Sequence, residues 1–288
     1  MKIIVTGANG MLGSSLCRLY YDQHEVHALH RDKKCFTDCL ADYSLDLINT
    51  KKVEELFNLI KPDLVIHCAG LTSVETCETD PALAYESNVT ITENIARSCS
   101  NGTKLVYIST DQVYGGSNNH SETNMNLRPV NHYGKTKYWG EEKALEYCPD
   151  CIIVRTNIFG WNVKPKKVSS AEWIYNSLIN GDEIILFTDY TFSPIYTENL
   201  GEIILQLVEI DFSGVVNIGS SIPCTKYEFG VFLAGEFDLS KSLLKKGSLM
   251  DHPFKAKRVS DIVLDISLLK NLGIWIPTYN ESIKGFIQ

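Results

Sequence analysis

The sequence contains no apolar run that approaches the ~18 residues needed to cross a bilayer, so no membrane-spanning segment is expected. It also lacks a basic block, because 27 lysines and arginines are outnumbered by 35 aspartates and glutamates, for a net charge of −8. Nucleic acids and anionic membranes require a cationic face. The first residues lead straight into an apolar strand without the pattern of a secretory signal. We therefore expect a cytoplasmic protein that binds neither nucleic acid nor membrane.

The nine cysteines do not form a disulfide or metal pattern. Cys148 and Cys151 have the spacing of a redox or zinc pair, but Cys151 opens an apolar strand. Cys35 and Cys39 lie one residue further apart than a zinc knuckle prefers. We interpret all nine as reduced thiols and expect no metal site.

Apolar strands alternate with helical patterns through the first half of the 288 residues. The pattern predicts strands at 3–5, 25–29, 63–68, 104–109 and 151–156, and helices at 50–60, 81–98 and 133–147. Near-continuous apolar strands separated by helices are typical of a parallel sheet covered on both faces. We predict an α/β fold with a doubly wound parallel sheet, the Rossmann arrangement.

The alternation loosens after residue 160. Helical patterns occur at 171–179 and 195–210, and 214–219 reads as one more strand of the sheet. We predict a dinucleotide-binding domain of residues 1–160 together with about 196–219. A smaller C-terminal substrate-binding lobe would consist of about 161–195 and 220–288.

Residues 2–16 read KIIVTGANGMLGSSL, a pattern that predicts a strand, a tight turn and a helix. Gly7 allows the backbone to turn with positive φ, Gly10 allows a phosphate to come close, and Gly13 allows the helix and strand to pack tightly. The start of the helix would present free N–H groups and its positive dipole end to a pyrophosphate. We interpret this stretch as a dinucleotide-binding turn.

Side chains that can bind or transfer a proton lie near the predicted carboxyl ends of strands, where sheets of this kind bind ligands. Thr110 and Asp111 come directly after one strand, and Tyr133 and Lys137, four residues apart, share a face of the next helix. A neighbouring ammonium lowers the pKa of a phenol, which can then exchange a proton with a carbonyl or alcohol oxygen. We expect Thr110 to hold the substrate oxygen and Lys137 also to bind the nicotinamide ribose.

With these motifs in this order, the chain resembles the extended short-chain dehydrogenase/reductases, and among them the dTDP-4-dehydrorhamnose reductase branch. The segments that carry the resemblance are GANGMLG at 7–13, HCAGLTSVETCETDP at 67–81, STDQVYGG at 109–116, YGKTKYWGE at 133–141, RTNIFG at 155–160 and KRVSDIVLDISLLKNLGIWIPTYNESI at 257–283. They extend over nearly the whole chain.

The resemblance implies roles for individual residues. The cofactor contacts it implies are Gly10, Met11 and Leu12 at the pyrophosphate, Asp46 and Leu47 at the adenine side, and Ala69, Gly70 and Leu71 along the cofactor. The catalytic set it implies is Thr110, Tyr133 and Lys137. The residues expected on the substrate side are Thr72, Thr110, Asp111, Asn157, Trp161 and Ser193.

The end of the second predicted strand indicates the type of cofactor. An acidic side chain there would bind the ribose 2′-hydroxyl and repel a 2′-phosphate. Here His30 and Arg31 follow Leu29, and Asp32 comes one place late. A guanidinium binds phosphate well, so we expect NADPH rather than NADH.

Several positions depart from the usual pattern of the branch, all near the sugar side of the crevice. Residues 189–195 read DYTFSPI, where the branch usually has a glycine two residues before the proline and a threonine after it. Ile158 stands where tryptophan is usual, and Val259 where proline is usual. The cofactor is therefore better defined by the sequence than the sugar.

The sequence predicts an NADPH-dependent reductase of a nucleotide-linked 4-keto-6-deoxy sugar, with Tyr133 as the proton donor. One alternative is an epimerase or dehydratase of the same fold that retains NAD, although Asp111-Gln112 lacks the Asp-Glu pair of a dehydratase. Another is a non-catalytic regulatory subunit similar to the beta subunit of methionine adenosyltransferase. A homodimer is possible, and Glu75, Glu78 and Asp80 form an acidic cluster that we interpret as a solvated face.

Overall fold

The structure, a computed structural model, describes residues 1–32, 39–99, 102–115, 120–124, 126–164 and 167–287. Its strands are β1 (Lys2–Thr6), β2 (Glu25–His30), β3 (Ala41–Ser44), β4 (Leu64–His67), β5 (Lys104–Ile108), β6 (Ile152–Thr156), β7 (Ile158–Phe159), β8 (Ile184–Phe187), β9 (Thr191–Phe192), β10 (Ile195–Tyr196), β11 (Gly214–Ile218), β12 (Cys224–Thr225), β13 (Leu244–Gly247) and β14 (Asp261–Ile262). Its α-helices are α1 (Met11–Tyr20), α2 (Thr50–Ile60), α3 (Val74–Thr79), α4 (Pro81–Tyr85), α5 (Ile91–Ser98), α6 (His132–Tyr147), α7 (Ser170–Asn180), α8 (Thr197–Glu209), α9 (Lys226–Glu236), α10 (Ser267–Asn271) and α11 (Tyr279–Ile287).

Seven of these strands form one parallel sheet in the order β11-β6-β5-β4-β1-β2-β3. Because successive side chains of a strand point to opposite faces, β1 buries Ile3 and Val5 in one core and Ile4 in another. Helices α1 and α8 cover the first core, and α2, α5 and α6 cover the second. The predicted doubly wound α/β fold is confirmed.

A third core lies among the elements that follow β6. Its centre is Phe159, whose ring lies 5.1 Å from that of Phe229 and 5.7 Å from that of Phe286, measured between centroids. Short strands surround it, with β9 between β12 and β14, and β8 beside β13. Residues 264–276 do not join this core, since their buried side chains pack in the core under α1 and α8. The division of the chain into two domains stays a prediction.

The structure contains elements that the sequence pattern did not indicate. Strand β3 alternates half-buried and exposed residues at the sheet edge, so it lacks the apolar run of an interior strand. A π-helical turn at Glu86–Thr90 interrupts the helix predicted at 81–98. Among the described residues, every helix is too short or too polar to cross a membrane.

A buried ion pair holds α6 against the sheet. The guanidinium of Arg155, on β6, donates to both carboxylate oxygens of Glu141, on α6, with the Nη2–Oε2 distance 2.6 Å. Glu141 also accepts from the hydroxyl of Ser109, and Arg155 donates to the phenol oxygen of Tyr114 at 3.1 Å. Both charged side chains are almost fully buried. Burial of a charge without its partner is costly, so this pair fixes the position of the helix.

We predict that Glu141→Gln lowers the free energy of unfolding by about 3–5 kcal/mol, because the Arg155 charge would stay buried without its counter-charge. Chemical denaturation measures the change. The control is Glu142→Gln, since the neighbouring Glu142 is exposed and its replacement should change stability by less than about 0.5 kcal/mol. Equal effects of the two substitutions would contradict this account of the pair.

Candidate active site

The glycine turn after β1 is shaped by close backbone contacts. Gly7 has a φ of 66°, and a Cβ there would lie 2.7 Å from the backbone nitrogen of Ala69. A Cβ at Gly13 would collide with the carbonyl oxygen of Gly7 and lie 2.8 Å from Cα of Ala8. A side chain at Gly7 would therefore displace the segment after β4, and one at Gly13 would push α1 away from the turn.

The start of α1 is open to an anion. Gly10 precedes the helix in an extended conformation, with φ −84° and ψ 167°, and no side chain caps it. The first-turn N–H groups belong to Met11, Leu12 and Gly13, which intrahelical bonding leaves without acceptors. Uncapped N–H groups and a positive dipole end form a ready anion site, so this end of the sheet fits a dinucleotide pyrophosphate.

A buried hydrogen-bonded chain joins the ends of β1 and β4 beside this turn. Thr6 Oγ1 lies 2.7 Å from Nδ1 of His67, and Nε2 of His67 lies 3.1 Å from Oγ1 of Thr92. The backbone N–H of Ala69 donates to Thr6 Oγ1 at 3.2 Å. Burial lowers the pKa of His67 to about 3, so the ring is neutral. His67 thus positions the segment that follows β4.

Asn88, in the π-helical turn, ties the same segment to α6. Its amide accepts from the N–H of Leu71 at 2.8 Å and donates to the carbonyl oxygen of Leu71 at 3.1 Å. It also donates to Oγ1 of Thr136 at 3.0 Å. A Cβ at Gly70 would lie 2.7 Å from the Asn88 oxygen. The predicted cofactor segment Ala69–Gly70–Leu71 therefore has a fixed position relative to α6.

Thr110 and Asp111 lie at the carboxyl end of β5, where Thr110 caps a short 3-10 turn. Asp111 accepts from Thr110 at 3.0 Å, from the amide of Gln112 at 3.2 Å and from the amide of Asn157 at 2.5 Å. The carboxyl group is almost fully buried, and that burial raises its pKa. The structure thus brings the predicted substrate residues Thr110, Asp111 and Asn157 together.

Helix α6 carries Tyr133 and Lys137 to the same place. Asn131 caps the helix by accepting from the N–H of Gly134 at 2.8 Å, and a Cβ at Gly134 would lie 2.6 Å from the carbonyl oxygen of Gln112. The first turn of the helix is therefore pressed against the end of β5. The Thr110 hydroxyl is close enough to the Tyr133 phenol to act on its pKa. The three predicted catalytic residues lie in one cluster.

The direction of the Tyr133 pKa shift differs from the sequence-based expectation. Burial raises the pKa of this phenol, and the nearby Thr110 hydroxyl only partly opposes the increase. The Lys137 ammonium lies 4.1 Å from the centroid of the Tyr107 ring, and burial lowers its own pKa to about 7. The expected lowering of the phenol pKa by Lys137 is wrong, because desolvation dominates at Tyr133.

Comparison with known proteins identifies the family. The family model described as RmlD substrate binding domain matches residues 1–288. The chain belongs to this family.

Two relatives and one solved structure illustrate the similarity. The chain is 29% identical to the probable low-salt glycan biosynthesis reductase Agl14 of Haloferax volcanii, over 98% of this chain and 96% of that protein. It is 26% identical to methionine adenosyltransferase 2 subunit beta of Danio rerio, over 96% and 86%. The dTDP-4-dehydrorhamnose reductase of Bacillus anthracis, solved in complex with NADP, superposes with a TM-score of 0.88 at 27% identity, over 99% and 98%. The predicted resemblance is confirmed.

In this member of the RmlD family, the loop after β2 carries two opposite charges. The side chain of Arg31 is exposed, and its Nε lies 3.8 Å from Asp32. Lys164, from the segment before α7, lies 2.8 Å from the other carboxylate oxygen of Asp32, and its hydrogen bond lowers the pKa of that carboxyl group. His30 is held inside by Asp42, at 3.1 Å. The Asp32 carboxylate is thus ionised and lies next to two positively charged side chains.

The residues predicted at the adenine side follow β3. Asp46 accepts from the N–H of Ile48 at 3.1 Å, which makes a tight turn before α2. Leu47 is buried, and its carbonyl oxygen accepts from the amide of Asn94 at 2.9 Å. The contacts assigned to these residues stay predictions.

Other predicted substrate residues have different surroundings. Ser193 is buried, and its hydroxyl accepts from the N–H of Leu264 at 3.2 Å. The Trp161 ring stacks on Phe286 with centroids 4.2 Å apart, and its indole N–H donates to the Phe286 carbonyl at 2.8 Å. Thr72 is exposed. Among the described residues, no hydrogen bond joins Trp161 or Ser193 to Asp111.

The acidic cluster has internal partners in the structure. Glu75 accepts from Arg258 at 3.0 Å, Glu78 accepts from the N–H of His132 at 3.0 Å, and Asp80 caps α4 by accepting from Leu83 at 3.0 Å. The first two link α3 to other parts of the chain. Within the described ranges no group of three or more His, Cys, Asp or Glu could hold a metal ion.

The described cysteines are free thiols. Cys151 is buried at the start of β6, and Cys148 donates to the carbonyl oxygen of Ala96 at 3.3 Å. The Cys148–Cys151 pair thus belongs to the packing between α5, α6 and the sheet. Cys35 lies outside the described residues, and Cys39 is buried.

Sequence reasoning missed the residues that position the cluster. Three polar residues form hydrogen bonds that hold the predicted site in place: His67 with Thr6, Asn88 with Leu71, and Asn131 with the first turn of α6. His67 is the last residue of an apolar strand and Asn131 immediately precedes the helix, so both carried a local signal. Asn88 carried none, because its partner is 17 residues away.

We predict that Lys137→Met raises the free energy of unfolding at pH 7 and that this gain shrinks toward pH 10. In the folded protein the pKa of Lys137 falls from 10.5 to about 7. Between those values the unfolded chain holds a proton that the folded chain has released, so wild-type stability rises with pH in this window. Urea denaturation at several pH values measures the difference.

The control for this pH series is Lys135→Met, on the same helix, which should show no comparable pH-dependent gain. A difference between wild type and Lys137→Met that stays constant from pH 7 to pH 10 would refute the lowered pKa.

Proposed function

We propose that this protein is an NADPH-dependent reductase of a nucleotide-linked 4-keto-6-deoxy sugar. The observation that carries the proposal is the approach of α6, which bears Tyr133 and Lys137, to Thr110 at the end of β5, where a Cβ at Gly134 would lie 2.6 Å from the Gln112 carbonyl oxygen. The cluster lies at the carboxyl edge of the sheet that also carries the uncapped start of α1. The NADP complex of the related Bacillus anthracis reductase supports the choice of cofactor.

In the proposed reaction, bound NADPH supplies the hydride that the keto carbon accepts. Tyr133 donates its phenolic proton to the carbonyl oxygen, so that the added hydride and proton together produce an alcohol. Because burial raises its pKa, Tyr133 is protonated throughout the neutral range and ready to donate. Thr110 lies beside the phenol, and its hydroxyl, which donates to Asp111 at 3.0 Å, would turn to the same substrate oxygen when substrate binds.

Lys137 provides an amino group next to the site that is about half protonated at pH 7, because burial lowers its pKa to about 7. Charge develops on the carbonyl oxygen as the hydride arrives, and donors placed there stabilise the transition state more than the substrate. The ammonium is held between the Tyr107 ring, at 4.1 Å, and the negative charge of Glu141, which acts to raise its pKa. In this arrangement Lys137 would also donate to the nicotinamide ribose.

The charges after β2 support NADPH over NADH. Arg31 offers an exposed guanidinium, and Asp32, which would repel a 2′-phosphate, is paired with Lys164. A phosphate at this position would therefore meet net positive charge.

The choice of sugar follows from the family. The 29% identical glycan biosynthesis reductase and the related dTDP-4-dehydrorhamnose reductase support a nucleotide-linked keto sugar as the substrate. Incubating wild type with NADPH and a panel of nucleotide keto sugars, and following absorbance of the reduced nicotinamide, tests the substrate directly. No oxidation with any keto sugar would contradict the proposal.

A homodimer and a cytoplasmic location belong to the same proposal. Tyr85 and Trp139 are exposed on neighbouring helices, with ring centroids 5.9 Å apart, which supports an interface on this face. The net charge of −8 argues against nucleic acid as a partner.

The second candidate is a non-catalytic regulatory subunit, which the 26% identity to the methionine adenosyltransferase beta subunit favours. A stoichiometric synthetase partner, together with no NADPH oxidation, would support it over the reductase. NAD retained through purification would instead favour an epimerase, whereas elimination is disfavoured because Gln112 donates to Asp111 at 3.2 Å where a dehydratase needs an acid.

We predict that Tyr133→Phe lowers turnover roughly 10²- to 10⁴-fold, the usual effect of removing an acid catalyst, and leaves NADPH affinity nearly unchanged. Steady-state kinetics and cofactor titration measure the two quantities. Tyr138→Phe, on the same helix, is the control and should retain turnover. Wild-type turnover in Tyr133→Phe would eliminate the proposed role.

We predict that Arg31→Asp weakens NADPH binding about 10-fold or more while NADH binding changes little, because a charge-assisted bond to the 2′-phosphate is replaced by repulsion. Fluorescence titration with both cofactors measures the ratio. Lys51→Asp reverses an exposed charge on α2 and should leave the ratio unchanged. An unaltered ratio in Arg31→Asp would exclude the phosphate contact.

A further inference from the structure

Lys226 is a cation on the substrate side that no part of the proposed mechanism uses. It is the first residue of α9, immediately after β12, which pairs with β9. Its Nζ lies 3.7 Å from the centroid of the Phe192 ring and 5.4 Å from that of Tyr190. The backbone N–H of Lys226 donates to the Tyr190 carbonyl at 3.2 Å. The main-chain hydrogen bond to Tyr190 thus holds the backbone of Lys226, and the two rings hold its ammonium group.

The ammonium of Lys226 lacks a bonding partner. Among the described residues no carboxylate or hydrogen-bond acceptor lies within bonding distance of Nζ, which is held only by contacts with the faces of the two rings. The side chain is half-buried, and taking part of an ammonium out of water is costly unless hydrogen bonds replace the lost hydration. An ammonium fixed against two ring faces and without an acceptor is a candidate to bind an anionic ligand.

The charges around Lys226 indicate the sign of the charge on that ligand. The negative charge of Asp111, next to the catalytic Thr110 of the proposal, acts on Lys226, and so does the positive charge of Arg258. Arg258 has its own buried Nε without a hydrogen-bond partner among the described residues, although its Nη2 is paired with Glu75 at 3.0 Å. Within the part of the chain that the structure describes, the Lys226 ammonium and the Arg258 Nε thus both lack an acceptor, and burial raises the pKa of the Asp111 carboxyl group, which favours its neutral form. An anionic group placed here would find unused donors.

We propose that Lys226 is a specificity-determining residue whose ammonium binds an anionic oxygen of the nucleotide-sugar substrate, beside the sugar position marked by Asp111. The inference rests on the proposed function, since it assigns a residue to the substrate of that same site. The anionic oxygen belongs either to the pyrophosphate that links nucleotide and sugar or to a carboxylate on the sugar.

The test is calorimetric binding of dTDP, dTDP-glucose and dTDP-glucuronate to the full chain with NADP present. We expect Lys226→Gln to weaken binding about 10- to 100-fold, the effect of one charge-assisted hydrogen bond, and Lys226→Arg to restore much of it. A loss with all three ligands assigns Lys226 to the pyrophosphate, and a loss confined to dTDP-glucuronate assigns it to a carboxylate. Either result supports the proposal.

The matched control is Lys246→Gln. Lys246 also lies over a ring, 5.2 Å from the centroid of Tyr227, but it is exposed on β13 and should leave all three affinities unchanged. NADP affinity and the thermal midpoint are measured for every variant, so that loss of folding is separated from loss of contact.

A pH series adds a readout that a structural role would not change. Burial and Arg258 lower the pKa of Lys226 to about 8, while Cys224 and Asp111 oppose the shift. Wild type should therefore lose affinity as pH rises from 7.5 to 9.5, and Lys226→Arg should retain it, because arginine stays charged.

Two outcomes overturn the inference and are distinguishable. If wild type binds the ligands and Lys226→Gln binds them equally well, the inference fails while the proposed function stands. If wild type binds NADP but none of the three nucleotides, the proposed substrate class and the inference fail together.

Discussion

The position of α6 on the sheet is the constraint on which the candidate site depends. Tyr133 and Lys137 are useful only if the helix presents them at the end of β5, and the buried pair of Arg155 and Glu141 holds it there. The close contact of Gly134 with the end of β5 sets the first turn of the helix. Because a buried charge cannot lose its partner cheaply, this placement is far more rigid than exposed ion pairs would make it.

A second feature of the site is that its charged groups are desolvated. Burial raises the pKa of Tyr133 and of Asp111 and lowers that of Lys137 to about 7 and of Lys226 to about 8. Each shift favours the neutral form of its group. A crevice of this kind strengthens the electrostatic interactions inside it, since few water molecules compete. The site is therefore prepared for a substrate that brings its own charge.

The cofactor side and the substrate side differ in how much the local sequence revealed. The glycine turn is formed by residues that are close in sequence. Glycine is required at positions 7 and 13 because a Cβ there would collide with the backbone of the turn or of the neighbouring Ala69. The proposed substrate side includes Asp111, Tyr190 and Lys226, which come from distant parts of the chain. The sequence pattern therefore proposed Asp111 and not Lys226 as a substrate contact, and it gave the wrong direction for the pKa shift of Tyr133.

By itself the sequence determined the doubly wound sheet and most of the strands and helices in the first half. It also indicated that Thr110, Tyr133 and Lys137 lie near one another, because the apolar periodicity and residue spacing that define a strand end and a helix face can be recognised within a few residues. Only the tertiary structure decided which buried groups meet across long separations: Asn88 with Leu71 and Thr136, and Arg155 with Glu141. Those contacts depend on how helices pack on the sheet, and desolvation, which sets the pKa values, exists only after that packing has excluded water.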